Sequence, residues 1–177
     1  HAAEIVMVLK KLGLTMRNWI VWHYTFGQAQ KKKFSRAHTH LLYFTKDKEN
    51  FIFNPDEIRI KSIRQKIGDK RANPKGKIPD DVWENGISEE DDVWKISRVA
   101  GTFHERIKGF PCQMPVKLLE RVIKTSSNKN SIVFDPFSGS GTTPYVAKKF
   151  GRKFIAIDKS PEYKKISENR INSMLNF

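Results

Sequence analysis

Residues 131–158 hold the arrangement that most restricts what this chain can fold into. A short apolar run ends in an acid, SIVFD (131–135), and is followed by a turn of small residues, PFSGSG (136–141). A helix-forming stretch, TTPYVAKKF, then leads through Gly151 to a second apolar run ending in an acid, KFIAID (153–158). Two strand-length runs separated by a helix are the grammar of a parallel sheet, because a parallel return needs a crossover that a tight turn cannot supply. The flanking segments agree. VKLLERVIK presents Val116, Leu119 and Ile123 on one face behind Pro115, which suits a first helical turn. SPEYKKISENRI starts with Ser160 as a cap and Pro161 after it. The expected class is therefore α/β, with two short buried strands at 131–135 and 153–158.

The turn itself points to a ligand. Gly139 and Gly141 let backbone amides come close to a bound group, and the start of the helix offers N–H groups without helical partners. Asp158 closes the second strand 23 residues after Asp135, where an acid can accept both hydroxyls of a ribose. A phosphate loop is excluded, since no lysine follows the glycines as G-K-[ST] requires. Asp135 would repel a pyrophosphate and attract a cation. A cationic nucleoside satisfies all three features, and S-adenosylmethionine is the expected cofactor.

Upstream, HAAEIVMVLKKLG places Ile5, Val8, Leu9 and Leu12 in one stripe with Gly13 as a stop, which predicts a helix with a buried face. NWIVWHY (18–24) and HLLYFT (40–45) predict two antiparallel strands joined by a long basic connection containing Lys31, Lys32 and Lys33. Residues 46–100 are weakly periodic and read as a loop-rich insert. Charge segregates there. Eight bases and one acid lie between Arg59 and Lys77, and seven acids and no base lie between Asp80 and Asp92. Within a chain of 177 residues and formal charge +14, that segregation favours a polyanionic partner. No apolar run is long enough for a transmembrane helix, and the lone Cys112 allows no internal disulfide. An intracellular, cytoplasmic protein with no membrane partner is expected.

DPFSGSGTT, KFIAID after it and FPCQMP ahead of the preceding helix resemble the β-group amino-methyltransferases of DNA, which methylate N6 of adenine or N4 of cytosine. RNWIVWHYTFGQ, KKKFSRAHTHLLYFTKD, DKRANPKGKIPDDVW and SRVAGTFHER are similar to segments between that family's base-pocket region and its cofactor motif. The resemblance implies a Rossmann-like, S-adenosylmethionine-dependent methyltransferase fold, incomplete in this chain, with an inserted target-recognition region. Residues 1–46 would be the C-terminal part of the base-pocket half, 47–100 the insert and 101–177 the cofactor-binding half. Carried over by motif, Asp135, Pro136, Phe137, Gly139, Ser140, Gly141, Thr142 and Thr143 form the methyl-donor loop. Asp158 holds the ribose, and Gln113 and Pro115 match the family's proline–glutamine step. Where the family often has histidine, this chain has Phe110.

The insert coincides with the family's target-recognition region. Lys31, Lys32, Lys33, Arg64, Lys70, Arg71, Lys75 and Lys77 are the candidate phosphate contacts on double-stranded DNA, and Asn73 or Gln65 could read base edges. Trp22, Tyr24 and Phe26 could line a pocket for an extruded base, or simply pack their strand. Pro111-Cys112 lies upstream of the cofactor loop, unlike the nucleophilic Pro-Cys of cytosine-C5 enzymes, and Cys112 reads as a small packing residue. His38 and His40 share a strand face without a third ligand, so no metal is expected. The acidic run to Asp92 reads as a surface loop.

The family's catalytic tetrapeptide, an Asp, Asn or Ser before Pro-Pro-aromatic, does not occur in these residues. Its strand belongs at the centre of the family's sheet. The expectation is that a further segment of roughly a hundred residues, or a companion chain, completes the sheet. The expected function is methyl transfer to an exocyclic amine, adenine N6 more than cytosine N4. A non-catalytic DNA-binding module derived from such an enzyme is the alternative, and an RNA or small-molecule methyltransferase is disfavoured by the basic insert.

Overall fold

The computed structural model describes residues 1–24, 29–83 and 96–173. The chain divides into two compact units, His1–Phe51 with Arg59–Ser97, and Ile52–Ile58 with Arg98–Phe177. Residues 52–58, inside the stretch read as the insert, thus belong with the C-terminal unit.

In the first unit, α1 (Ala2–Lys11) runs into Gly13, whose φ of +81° ends the helix as expected. The expected buried stripe is not found. Val6 is the buried residue of α1, whereas Ile5, Val8 and Leu12 are exposed, because no described element covers that face. β1 (Thr15–His23) and β2 (His38–Thr45) pair antiparallel as the alternation predicts, with a bulge between Met16 and Asn18. Arg17 sits in that bulge. Its Nε donates to Thr45 Oγ1 at 3.0 Å, and its guanidinium lies 4.0 Å over the Phe51 ring. Trp22 and Tyr24 are buried with their rings edge to face, and Trp22 Nε1 donates to the Ile96 carbonyl at 2.8 Å. Phe26 lies outside the described residues, as does the acidic run beyond residue 83.

The basic stretch forms a clipped loop. Ile60 and Lys77 exchange backbone hydrogen bonds of 3.0 and 2.9 Å at its neck. Gly76 makes the clip possible: its φ is +92°, and a Cβ there would stand 2.3 Å from the Ile60 carbonyl oxygen. Inside the loop, the one-turn helix α2 (Ile63–Lys66) carries a capping box, with Ser62 and Gln65 satisfying each other's backbone amides. β3 (Val82–Trp83) then adds parallel to β1, giving the order β2-β1-β3. Two residues are too few to carry a periodic signal, and β3 was not expected from the sequence.

The second unit is built on α3 (Val116–Ser126), β4 (Ile132–Asp135), α4 (Thr142–Lys149), β5 (Lys153–Ala156) and α5 (Pro161–Asn172). β4 and β5 pair in parallel, with Asp135 opposite Ala156. Ile123, Val146 and Ala147 form the core, against which Val116, Leu119, Val133, Tyr145, Phe150 and Phe154 pack. The helix face expected on α3 is therefore the one used. Ser160 caps α5 by accepting from Tyr163 N, and Pro161 occupies the first turn, both as expected. The two strands are not buried on both sides, however. Ile132, Phe134 and Ile155 on the face away from the core are 64%, 58% and 52% exposed. Helices cover one face of this pair, and no described element covers the other. Arg121 was also not foreseen. It is 1% exposed on α3, and burial pulls its guanidinium down to about 9. Among the described residues, no helix is long and apolar enough to cross a membrane.

Candidate functional site

The parallel pairing of β4 and β5 continues past the strands and builds the turn. Ile157 N donates to the Asp135 carbonyl and Ser138 N to the Ile157 carbonyl, each at 2.9 Å. This places Asp158 beside the glycines. Its Oδ2 accepts Gly139 N and its Oδ1 accepts Ser160 N, both at 2.9 Å. One carboxylate thereby joins the glycine turn to the cap of α5. The amides of Ser160 and Gly139 hold that carboxyl below the usual aspartate range, so it is ionised at neutral pH. Asp135 Oδ1 accepts Phe137 N at 3.0 Å. Pro136 is exposed, and the Phe137 ring is 87% exposed at the rim.

The glycines have a reason that the sequence reading did not give. Gly139 (φ +50°) and Gly141 (φ +72°) need the left-handed region, but they also back directly onto protein. A Cβ at 139 would stand 2.9 Å from the Phe110 ring, and one at 141 would stand 2.2 Å from Ser167 Oγ. Phe110 is buried and meets Tyr163 edge to face at 4.7 Å, so the residue standing in place of a histidine packs beneath the turn. The amides of Ser140, Thr142 and Thr143 have no acceptor among the described residues. Pro144, next along α4, has no N–H to offer. Ser138, which sequence reasoning passed over, is buried with a hydroxyl that has no partner among the described residues.

Gln113 is buried and both ends of its amide are engaged. Oε1 accepts Ile107 N at 2.9 Å, and Nε2 donates to the Glu105 carbonyl at 2.7 Å. Its side chain shapes the segment ahead of α3. Two further residues were missed. Arg170 on α5 donates to Thr142 Oγ1 at 2.7 Å and to the Ser140 carbonyl at 3.3 Å, and Glu105 stands 3.9 Å from its guanidinium. Ser167 and Arg170 are three apart in ISENRI, the spacing that puts two side chains on one helix face.

The candidate DNA contacts divide into two groups. Lys31, Lys32, Lys33, Arg64, Lys70 and Lys75 are exposed. Arg71, also exposed, forks onto Asp69 with bonds of 3.0 and 2.9 Å, and the half-buried Lys77 pairs with Asp80 at 2.8 Å. Gln65 Oε1 accepts Ser62 N and its Nε2 donates to the Pro74 carbonyl, which leaves it little capacity to read a base. Asn73 Oδ1 accepts Lys75 N at 2.9 Å. His40 Nδ1 accepts Trp19 Nε1 at 2.9 Å, and among the described residues no three of His, Cys, Asp and Glu are grouped to hold a metal ion. Cys112 is exposed and not a packing residue, because the turn between Phe110 and Gln113 puts only those two inward. An open groove of about 910 Å³ lies at the opposite, N-terminal end of β4 and β5, lined by Asn54, Asn130, Lys149 and Arg152 among others. Ligands of open parallel sheets bind at the carboxyl ends, where Asp135 and Asp158 stand.

Residues 3–169 match a family model described as DNA methylase, of the N6/N4 type. The chain is 38% identical over 177 residues to Type II methyltransferase M.HpaI of Haemophilus parainfluenzae, covering 99% of this chain and 52% of that protein. It is 35% identical over 167 residues to DNA adenine methyltransferase YhdJ of Escherichia coli (strain K12), covering 89% and 53%. The chain spans about half the length of these relatives. Among solved structures, the M1.HpyAVI–SAM complex superposes with a TM-score of 0.65 at 21% identity, over 97% of this chain and 69% of that one. PvuII DNA methyltransferase (cytosine-N4-specific) gives 0.59 at 21% identity, over 94% and 54%. The expected α/β methyltransferase fold is the fold of these neighbours. With a family model covering nearly all of its residues, the chain belongs to the DNA methylase family.

Proposed function

We propose that the protein is a site-specific DNA methyltransferase that transfers a methyl group from S-adenosylmethionine to an exocyclic amine, adenine N6 in preference to cytosine N4. The observation that carries this reading is the ionised Asp158, tied to the glycine turn it shares with Asp135 in a member of the DNA methylase family. The residues fit such a donor. Asp158 keeps lone pairs for a ribose after accepting Gly139 and Ser160, and Asp135 adds a second acid suited to a cation. The amides of Ser140, Thr142 and Thr143 and the buried Ser138 hydroxyl are donors awaiting acceptors. Phe137 offers an exposed ring to a flat group. When bound, the donor supplies an electrophilic methyl on a sulfonium. The protein's task is to hold and orient it, without a protein nucleophile.

Residues 101–177 would form the donor half, and Arg64, Lys70 and Lys75, with the lysines at 31–33, would follow DNA phosphates. The preference for adenine rests on the likeness of the insert. A further segment or a companion chain would supply the catalytic tetrapeptide and cover the exposed face of β4 and β5, since a bare two-stranded sheet is marginal. Such a protein would work in the cytoplasm, on duplex DNA. The test is incorporation of labelled methyl from S-adenosylmethionine into duplex DNA by the complete protein, with the modified base mapped after digestion. N6-methyladenine is expected. DNA binding without incorporation would leave the non-catalytic module as the function.

A further inference from the structure

We propose that Arg170 is a positioning residue for the glycine turn, holding the Ser140–Thr142 segment from behind so that its amides stay set for the methyl donor. The inference rests on the methyl-donor reading above. The geometry is a three-element clamp. From α5, Arg170 Nη1 reaches Thr142 Oγ1 at 2.7 Å and the Ser140 carbonyl at 3.3 Å. One turn earlier on the same helix, Ser167 stands against Gly141 so closely that no Cβ could enter. From the segment before α3, Thr142 Oγ1 finds the Met114 carbonyl at 3.1 Å. The residue at the first turn of α4 is thus held from two sides, on its side chain rather than its amide. Ser140 is held through its carbonyl, so its own N–H keeps no protein partner among the described residues.

The guanidinium is itself fixed. It lies 5.0 Å over the Tyr145 ring, and Glu105 faces it at 3.9 Å. Glu105 is oriented in turn, because Oε2 accepts Val116 N at 3.1 Å and its carbonyl accepts Gln113 Nε2. This gives Gln113 an indirect part in the site, through Glu105. It also places a carboxylate beside Arg170, so the brace adds little net positive charge next to a turn meant for a cation. Both bonds leave Nη1 while Nη2 faces Glu105, so a lysine could supply the charge but not two nitrogens set apart on one rigid plane, one for the turn and one for the carboxylate.

The experiment is calorimetric titration of S-adenosylmethionine into the complete protein and into Arg170→Lys, Arg170→Met, Thr142→Val and the Arg170→Met/Thr142→Val double variant. Thermal melts are recorded on each. Wild type binds. Arg170→Met weakens affinity about ten-fold, Arg170→Lys recovers less than half of that loss, and Thr142→Val weakens it by about three-fold. The double variant is weaker than Arg170→Met by less than the three-fold of Thr142→Val alone, since both changes remove the Arg170–Thr142 bond and only Thr142→Val also removes the bond to the Met114 carbonyl. A general loss of packing would show as parallel falls in melting temperature and multiplied losses of affinity. Multiplied losses, or an Arg170→Lys variant that binds like wild type, overturn the inference and leave the donor reading standing. Should Arg170→Met fail to fold, unchanged affinity in Thr142→Val would still overturn it. No binding by folded wild type sinks the donor reading itself, and this inference with it.

Discussion

Two loops in this molecule use glycine to make a sharp turn, and they are held in opposite ways. The turn at 136–141 is braced from a distance, by Asp158 after β5, Arg170 and Ser167 on α5, and Phe110 ahead of α3. The basic loop at 61–76 is braced by its own residues, with Ser62 on Gln65, Asp69 on Arg71, Gln65 on Pro74 and Asn73 on Lys75. A turn held by several other elements keeps its shape only when those elements are packed, and every support constrains its sequence. A self-braced loop can exchange outward residues without disturbing a core. The first suits one small ligand in one pose, and the second suits a surface that reads a variable partner.

The sharpest way to break that contrast is a pair of alanines. Gly141 and Gly68 have nearly the same φ, +72° and +73°, but a Cβ at 141 meets Ser167 at 2.2 Å while one at 68 meets nothing within 4 Å. Gly68→Ala should lose only the left-handed penalty of about 1–2 kcal/mol. Gly141→Ala adds overpacking of about 1–3 kcal/mol to that penalty. Denaturant melts of both variants measure the gap, and equal midpoints would mean that the 136–141 turn is no more tightly backed than the surface loop.

Asp158 comes next. Asp158→Asn keeps an acceptor oxygen but loses the charge and one backbone partner, so S-adenosylmethionine affinity should fall roughly ten-fold, the scale of a lost charge-assisted hydrogen bond. The pH dependence has a definite sign. The Ser160 and Gly139 amides lower the carboxyl's folded-state pKa. Its contribution is therefore complete above the ordinary aspartate value and disappears as pH falls through the depressed one. Donor affinity attributable to this residue should be flat from pH 8 to pH 5 by titration. A midpoint near neutrality would assign the effect to another group.

For the basic loop the measurable is the salt dependence of DNA binding. Arg64→Ala and Lys70→Ala should each reduce the slope of log affinity against log salt by about 1. Arg71→Ala and Lys77→Ala should reduce it less, because Asp69 and Asp80 already pair those charges. Equal slopes for all four variants would show that the intraloop pairs open when DNA arrives.

The sequence made the second unit legible because its elements obey local rules. The face of α3, the cap at Ser160 and the stop at Gly151 follow from neighbours a few residues away. The two acids were legible from spacing alone. What stayed hidden depends on contacts distant in sequence. The reason for Gly141 is Ser167, 26 residues on, and the role of Arg170 needs Thr142 and Glu105 in place. Gln65 looked free to read bases until its partners at Ser62 and Pro74 were known. The stripe on α1 and the outer faces of β4 and β5 misled in another way: their periodicity reports a face that needs cover, and the described residues do not provide it.

The smallest expected effect tests the self-braced loop most directly. Asp69 Oδ1 accepts both the amide and Nε of Arg71, and Oδ2 takes Nη2. Asp69→Asn retains the oxygen that accepts the Arg71 amide, so the turn should persist, while the opposing charge is gone. Arg71 is 80% exposed, and exposed pairs are weak, so the gain in DNA affinity should be only about two-fold at moderate salt. The salt slope should steepen by up to about 1, because a freed guanidinium can displace one more counterion. Higher affinity with an unchanged slope would point to a reshaped loop. A steeper slope at nearly unchanged affinity would instead identify Arg71 as a phosphate contact held in reserve by its own neighbour.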